Sequence, residues 1–404
     1  MDRVLTTHVG SLIRPPEVAE ALRLAWQGKE YDSAAFDESL RAAVADVVEK
    51  QAAAGLDVVN DGEMSKPSWI AYIYDRVSGI EARQVQAADQ TLPAGLEREA
   101  HQSTSLYTNY APWEEKDSDK GGTAWFCTGP IAYDSGPLER DIANLTAAID
   151  MHDVVDGFVP AVAPGSIYWI ENEHYATEDE MMWAFADALH EEYRRIVDAG
   201  LLVSVDDAVL WHRYATIRLE GGDDSDYRRW AEPRVEALNH ALRGIPEDRV
   251  RYHICSGSNH GPHTHDVPLR DIIDLVLKVN ARYLQIEQAN AAHEHEWRIW
   301  EDVTLPDDKI VVPGVVTHHT MMVEHPELVA QRIIRLAGLI GRERVMAGTD
   351  CGFAQYAGRQ RVSIWTLWAK LRSLVEGAAL ASDALWGTRP SARPELTGST
   401  PRRR

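Results

Sequence analysis

Cysteine is scarce in this sequence, which has Cys127, Cys255 and Cys351 and no others among its 404 residues. Three cysteines cannot all pair, so the disulfide framework of a small secreted protein is excluded. An enzyme that uses free thiolates works in a reducing compartment, and we therefore predict a cytoplasmic protein.

Long apolar runs and an excess of basic charge are also missing. No apolar segment approaches the roughly 20 residues of a membrane-spanning helix, and no basic region followed by an apolar segment opens the chain. Lys and Arg number 41 against 63 Asp and Glu, which gives a formal net charge of −22. Because nucleic acids and anionic membranes attract basic proteins, we predict neither as a partner. A homo-oligomer is compatible with this composition.

Short apolar segments that end in polar residues alternate with helical patterns along the chain. Phe36, Leu40 and Val44 recur at helical spacing between Ser33, taken as the N-cap, and Gly55. Comparable helices are expected from about Thr177 to Ala199 and from Pro326 to Ile340. The segments that read as strands are Val4–Ser11, Leu56–Glu63, Gly157–Gly165, Leu201–Asp207, Arg251–Cys255, Tyr283–Glu287, Lys309–Val316 and Val345–Cys351.

These strand–helix units predict an α/β protein with a single (β/α)₈ TIM barrel over residues 1–388. An insertion after the second strand, at about 77–123, has little periodicity and contains charged runs, and we expect it to carry some strands and to cover the site. Cys127 lies on this insertion, which ends in the stretch Ala124–Gly129, and it is interpreted as a packing residue. Residues 389–404 have the composition of a disordered tail.

In a TIM barrel the active site lies at the C-terminal ends of the strands. The polar residues expected there are Ser11, Glu63, Asp206, His253, Cys255, Glu287, His319 and Cys351. His253 and Cys255 are two apart on a strand and therefore point to the same face. With Glu287 and Cys351 they would supply the N, S, O and S ligands of a zinc site. The alternative is that the cysteines are small buried hydrophobes and that Glu287 caps a turn.

Histidine is frequent in the loops that follow two of these strands, at positions 260, 263, 265, 293 and 295. The spacing suits a second metal site, but we predict a structural role because acidic neighbours can accept hydrogen bonds from the rings. Those neighbours are Asp266, Glu294 and Glu296.

Several stretches resemble the catalytic barrel of the cobalamin-independent methionine synthase family. They are Thr6–Ser11, Gly55–Glu63, Ala199–Leu210, His253–Cys255, Ile286–Glu287, Gly314–His319 and Asp350–Gly352. The resemblance implies Zn²⁺ held at His253, Cys255, Glu287 and Cys351, where it binds a substrate thiol as a zinc thiolate. It also implies that Ser11, Glu63 and Asp206 hold the amino acid part of homocysteine and that His319 donates a proton to the methyl carrier.

The sequence also departs from this family. A duplicated N-terminal barrel is absent, and the stretches Asp206–Leu210 and Thr320–Val323 differ from the family pattern. The alkyl donor, methyltetrahydrofolate or another, therefore stays open. Stretches such as Ser256–Asp266 are similar to a short, single-barrel branch, which also resembles epoxyalkane:coenzyme M transferase.

The predicted function is a zinc-dependent thiol methyltransferase that acts on homocysteine and forms a thioether. Alkylation of coenzyme M is the alternative, but its sulfonate would meet Glu63 and Asp206 unless Arg14 or Arg76 intervenes. A zinc-dependent lyase or hydrolase on the same barrel would need an activated water in place of the thiol. A non-catalytic zinc-stabilised protein would have no use for the polar residues at the other strand ends.

Overall fold

The computed structural model describes residues 2–85, 122–167, 170–257, 263–264, 266–358 and 360–387. The strands are Val58–Asn60 (β1), Val77–Val85 (β2), Gly122–Tyr133 (β3), Asp156–Val162 (β4), Ile170–Asn172 (β5), Leu202–Asp206 (β6), Val250–Ile254 (β7), Tyr283–Ile286 (β8), Ile310–Val316 (β9) and Gly348–Thr349 (β10). The helices are Pro16–Trp26 (α1), Ser33–Ala54 (α2), Gly136–Ile149 (α3), Glu178–Asp198 (α4), Ala208–Leu219 (α5), Asp224–Ala241 (α6), Leu269–Leu277 (α7), Pro326–Ile340 (α8) and Ile364–Trp386 (α9). Within these ranges no helix combines the length and apolar character that crossing a bilayer requires.

Seven strands form one parallel sheet in the order β1-β4-β6-β7-β8-β9-β10. The segment before α1 lies between the two edges of this sheet. Thr7 N donates to Ala347 O at 2.9 Å, and Thr6 O accepts from Val58 N at 3.1 Å. These bonds fill the eighth strand position and curl the sheet into a TIM-barrel fold, which confirms the predicted fold class.

The segment predicted as the first strand, Val4–Ser11, forms one isolated bridge, between Thr6 and Ala347, and the prediction of a regular strand is wrong. Thr6 N donates to the Oδ2 atom of Asp57 at 2.8 Å, where a regular ladder would use a backbone carbonyl. Arg3 also pairs with Asp57, at 2.5 Å. A side chain thus replaces part of the backbone hydrogen-bond ladder. The alternation of apolar and polar residues along the segment cannot reveal this replacement.

The predicted helices agree with the structure to within a residue or two. Asp32 rather than Ser33 caps α2, because its side chain accepts a hydrogen bond from Ala35 N at 3.0 Å. Gly55 ends this helix with a φ of 89°, a left-handed conformation that favours glycine. Thr177 caps α4 by accepting from Glu180 N, at 3.1 Å.

A second, smaller sheet stands where the insertion was expected. Strands β2 and β3 pair antiparallel, and β5 adds in parallel to the far side of β3. Tyr74 stacks on Trp125 of β3 with ring centroids 4.1 Å apart, which fixes this sheet against the barrel. Cys127 is buried in β3, as expected for a packing residue. Residues 86–121 and the predicted tail at 389–404 lie outside the described residues, so the domain boundaries stay predictions.

Candidate active site

His253, Cys255 and Cys351 form a cluster of potential metal ligands, called here the sulfur cluster. Their ligand atoms lie within 4.8 Å of one another, and all three residues are buried. His253 lies in β7, Cys255 directly follows that strand, and Cys351 follows β10. The barrel therefore brings together two thiols and an imidazole that are nearly a hundred residues apart in the chain, in a donor set that suits Zn²⁺.

Glu287, the fourth predicted ligand, adjoins the sulfur cluster but groups instead with His318 and His319. Its Oε2 atom accepts hydrogen bonds from Ser256 N at 2.9 Å and from the Ser256 hydroxyl at 2.8 Å. Its Oε1 atom is buried and has no hydrogen-bond partner among the described residues. Hydrogen bonds thus hold one oxygen and orient the carboxylate, and the other oxygen has no partner among the described residues.

Asp350 fixes the loop that carries Glu287, a role that the sequence interpretation missed. Its Oδ1 atom accepts from Gln288 N at 2.9 Å and from Ala289 N at 2.7 Å. A Cβ atom at position 314 would lie 1.9 Å from this oxygen, so only glycine fits at Gly314. The position of Asp350 directly before a predicted ligand was the only sequence signal for this role.

Ser11 lies next to the loop of Cys351, and Glu63 lies next to the residue before Ser11. The space around two glycines shows both contacts. A Cβ atom at Gly352 would stand 2.1 Å from the Ser11 hydroxyl, and one at Gly10 would stand 2.6 Å from the Oε1 atom of Glu63. Ser11 and Glu63 therefore share one wall of the site, beside the sulfur cluster.

Glu63 is held in a strained conformation. Its φ is 56°, in the left-handed region that residues other than glycine seldom adopt. Its backbone N donates to the Oδ1 atom of Asp61 at 2.9 Å, while its own Oε2 atom is buried without a partner among the described residues. Burial raises the pKa of Glu63, and the nearby cations Lys66 and Arg14 oppose this rise.

Asp206, at the end of β6, is a second buried carboxylate without a full set of partners. No described residue bonds to its Oδ1 atom, and burial, reinforced by the charge of Glu63, raises the pKa of Asp206 to about 8. Asp207 differs, because it accepts from the hydroxyls of Ser166 at 2.7 Å and Tyr252 at 2.9 Å. Asp207 is therefore bonded within the protein, whereas Asp206 keeps an oxygen without a partner among the described residues.

His318 and His319 lie together beside Glu287, with ring centroids 3.9 Å apart. A continuing strand would have pointed His318 away from its neighbour, but β9 ends at Val316. The alternation of side chains ends with the strand. The two rings therefore lie side by side, and His319, which is partly exposed, is the imidazole nearer to solvent.

A buried network of charged side chains lies behind His319. The Oδ2 atom of Asp266 contacts His263 Nδ1 at 2.8 Å and His293 Nε2 at 2.9 Å, and His293 Nδ1 contacts Glu296 Oε2 at 3.0 Å. Burial lowers the pKa of His293, but the two carboxylates outweigh it and raise this pKa to about 10. These contacts agree with the predicted structural role. His260 and His265 lie outside the described residues.

Comparison with known families adds to this geometry. A family model described as the cobalamin-independent synthase catalytic domain matches residues 4–98 and 138–379, which is most of the chain. The chain belongs to this family. The match contains every predicted site residue, and its break between residues 98 and 138 includes β3 of the smaller sheet. This match confirms the resemblance found in the sequence.

Individual relatives agree with the assignment. The chain is 25% identical over 351 residues to a methionine synthase of Sulfolobus acidocaldarius, covering 86% of this chain and 85% of the relative. It is 24% identical over 389 residues to a methionine synthase of Saccharolobus solfataricus, covering 94% and 95%. A solved B12-independent methionine synthase from a Shewanella species, in complex with selenomethionine, has a similar fold, with a TM-score of 0.70 and 18% identity over 96% of this chain and all of that one.

Proposed function

We propose that the protein transfers a methyl group to the sulfur of homocysteine and forms a thioether. One observation carries this proposal: the sulfur cluster lies near two buried carboxylates, Glu63 and Asp206, and each has an oxygen without a partner among the described residues. A thiol that also bears an ammonium group would meet a metal at one end and two carboxylates at the other. The relatives that are named methionine synthases support the same function.

Zinc fits the donor atoms, and His253, Cys255 and Cys351 would hold it, with Glu287 as the fourth ligand through its Oε1 atom. When bound, Zn²⁺ lowers the pKa of a coordinated thiol, so that the sulfur reacts as a thiolate at neutral pH. The hydrogen bonds from Ser256 hold the other oxygen of Glu287 and fix the orientation of this carboxylate.

The substrate is oriented by the polar side chains beside the metal ligands. Glu63 and Asp206 accept hydrogen bonds from its ammonium group. Ser11 lies against Gly352, in the loop of Cys351. A bound ammonium would provide the positive charge that these two buried carboxylates lack, so binding offsets a cost that the folded protein already carries.

His319 supplies the proton that the methyl carrier needs when it leaves. The bond between the carrier and the methyl carbon breaks as the bond from sulfur to that carbon forms, and the carrier takes the electron pair together with a proton from His319. An imidazole suits this step because it titrates near neutral pH. The identity of the carrier, methyltetrahydrofolate or another, is part of the proposal that only assays decide.

Alkylation of coenzyme M is the second candidate, and the unused nitrogen atoms of Arg14 favour it, because an arginine could neutralise the sulfonate. Arg76 cannot neutralise a sulfonate, because it binds Asp141 at 2.5 Å and Glu192 at 2.6 Å in a buried ion-pair cluster. Arg14 can, because it is buried near Glu63 and has nitrogen atoms without partners among the described residues. The repulsion expected from the two carboxylates is therefore reduced for an anionic thiol.

A thiol panel tests both candidates. Zinc-loaded protein is incubated with homocysteine, coenzyme M or glutathione and with methyltetrahydrofolates, methyl ethers or epoxides, and thioethers are detected by mass spectrometry. We expect homocysteine to have the highest kcat/KM and Asp206→Asn to lower it about 10- to 100-fold. A higher kcat/KM for coenzyme M, or an unchanged value for homocysteine in Asp206→Asn, would replace the first candidate with the second.

A further inference from the structure

Arg14 is a buried cation whose hydrogen-bonding capacity is mostly unused. It is 5% exposed, and its Nη1 atom donates to the carbonyl of Ala354 at 2.8 Å. Its Nε and Nη2 atoms have no hydrogen-bond partner among the described residues. A guanidinium group presents these donors in a planar fork that matches a carboxylate, so the unused edge is a ready anion site.

Arg14 lies close to the residues assigned to the substrate. Ala354, its one bonded partner, is three residues beyond Cys351, and Ser11 is three residues before Arg14 in the same loop. The carboxylates whose charges act on Arg14 are Glu63 and, more weakly, Asp61. Arg14 thus lies near Glu63, one of the carboxylates assigned to the substrate ammonium, and is bonded to the loop that follows Cys351.

Arg14 and Glu63 are near each other, yet they do not satisfy each other. Glu63 is near enough to act on the charge of Arg14, but the Nε and Nη2 atoms of Arg14 and the Oε2 atom of Glu63 are all buried without partners in the described part of the chain. Burying unpaired charges of both signs is costly for a protein. A ligand that carries an anion and a cation on neighbouring atoms would satisfy both groups.

We propose that Arg14 binds the α-carboxylate of the substrate, so that Arg14, Glu63 and Asp206 together recognise an α-amino acid in its zwitterionic form. The inference rests on the proposed function and deepens it by naming the residue that recognises the substrate carboxylate. Arg14 acts as a specificity residue: it selects thiols that carry a carboxylate beside the amine and takes no part in the methyl transfer.

Binding of the thioether product and its decarboxylated analogue tests this role without turnover. Titration calorimetry measures the Kd of L-methionine and of 3-(methylthio)propylamine, which lacks the carboxylate, for the zinc-loaded wild type and for Arg14→Gln. We expect the wild type to prefer methionine by about 10- to 100-fold, and Arg14→Gln to lose that preference while its Kd for the amine stays within about twofold. Arg14→Lys keeps the charge without the planar fork and should recover part of the preference.

Arg41→Gln, on the exposed side of α2, is the matched control for loss of an arginine and should leave both Kd values unchanged. Thermal unfolding of each variant confirms that the ratio is read on folded protein. A preference for methionine that survives in Arg14→Gln, or its absence in the wild type, would overturn the inference. Failure of the proposed function gives a different result. Homocysteine would then remain unmethylated in the thiol panel, while the wild type would still bind methionine more tightly than the amine.

Discussion

Two buried arginines in this barrel have opposite surroundings. Arg76 is neutralised inside the protein by Asp141 and Glu192, which we call the Arg76 cluster. Among the described residues, Arg14 has one carbonyl partner and lies near Glu63, whose Oε2 atom also lacks a partner. Burial is nearly the same for both arginines, so burial alone does not identify a functional site. The difference is whether a carboxylate of the described residues forms an ion pair with the buried arginine. Where none does, a ligand is expected to supply the negative charge.

The largest effect is expected in the sulfur cluster, where two thiols and an imidazole meet. Cys255→Ser and Cys351→Ser should each lose zinc, because too few soft donors remain. The loss of metal affinity should exceed the roughly 10- to 100-fold that removing an outer partner of a ligand costs. Metal analysis after dialysis measures this, with Cys127→Ser as the control that keeps the metal. Full zinc content in both variants would rule out the assigned ligands.

The second prediction concerns His319. His319→Asn should lower kcat by about 10²- to 10⁴-fold with donors whose leaving group needs a proton. With a methyl sulfonium donor, which leaves as a neutral thioether, the loss should be much smaller. His318→Asn is the neighbouring control and should have the lesser effect on kcat. Equal losses with both kinds of donor would show that His319 does not supply the proton.

The third prediction compares the two arginines directly. Arg76→Met leaves two buried carboxylates without their cation and should lower the free energy of unfolding by about 3–5 kcal/mol. Arg14→Met removes a buried charge that forms no ion pair among the described residues, so its unfolding free energy should change far less or increase. Denaturant unfolding of the metal-free proteins measures both values. Similar destabilisation by the two substitutions would remove the distinction between them.

The smallest expected effect is a pH dependence in the internally paired network of Asp266, His293 and Glu296. The pKa of His293 is about 10 in the folded protein against 6.5 for the free side chain. Because the folded value is raised, the stabilisation is complete below pH 6.5 and is lost as the pH rises through about 10. Unfolding free energies measured between pH 6 and pH 10 should therefore fall more steeply in the wild type than in His293→Gln. Parallel pH profiles would contradict the assigned charge of His293.

Much of the barrel could be predicted from the sequence because its signals are local. Apolar segments ending in polar residues marked the strand ends, and helical spacing marked α2, α4 and α8. The segment Val4–Ser11 lies where the first strand was predicted, but it does not form a regular strand. A carboxylate from Asp57, more than fifty residues away, bonds to its backbone, and no local pattern contains that contact.

The sequence by itself determined which residues could act: the thiols, the imidazoles and the carboxylates at strand ends, together with the family to which they belong. Only the tertiary structure decided how these groups are partnered. It joined Glu287 to His318 and His319, satisfied Asp207 and Arg76 internally, and left Glu63, Asp206 and Arg14 with unused hydrogen-bonding atoms. The physical reason is that chemical type is fixed by each residue, whereas the satisfaction of a buried charge depends on atoms that distant parts of the chain bring within hydrogen-bonding distance.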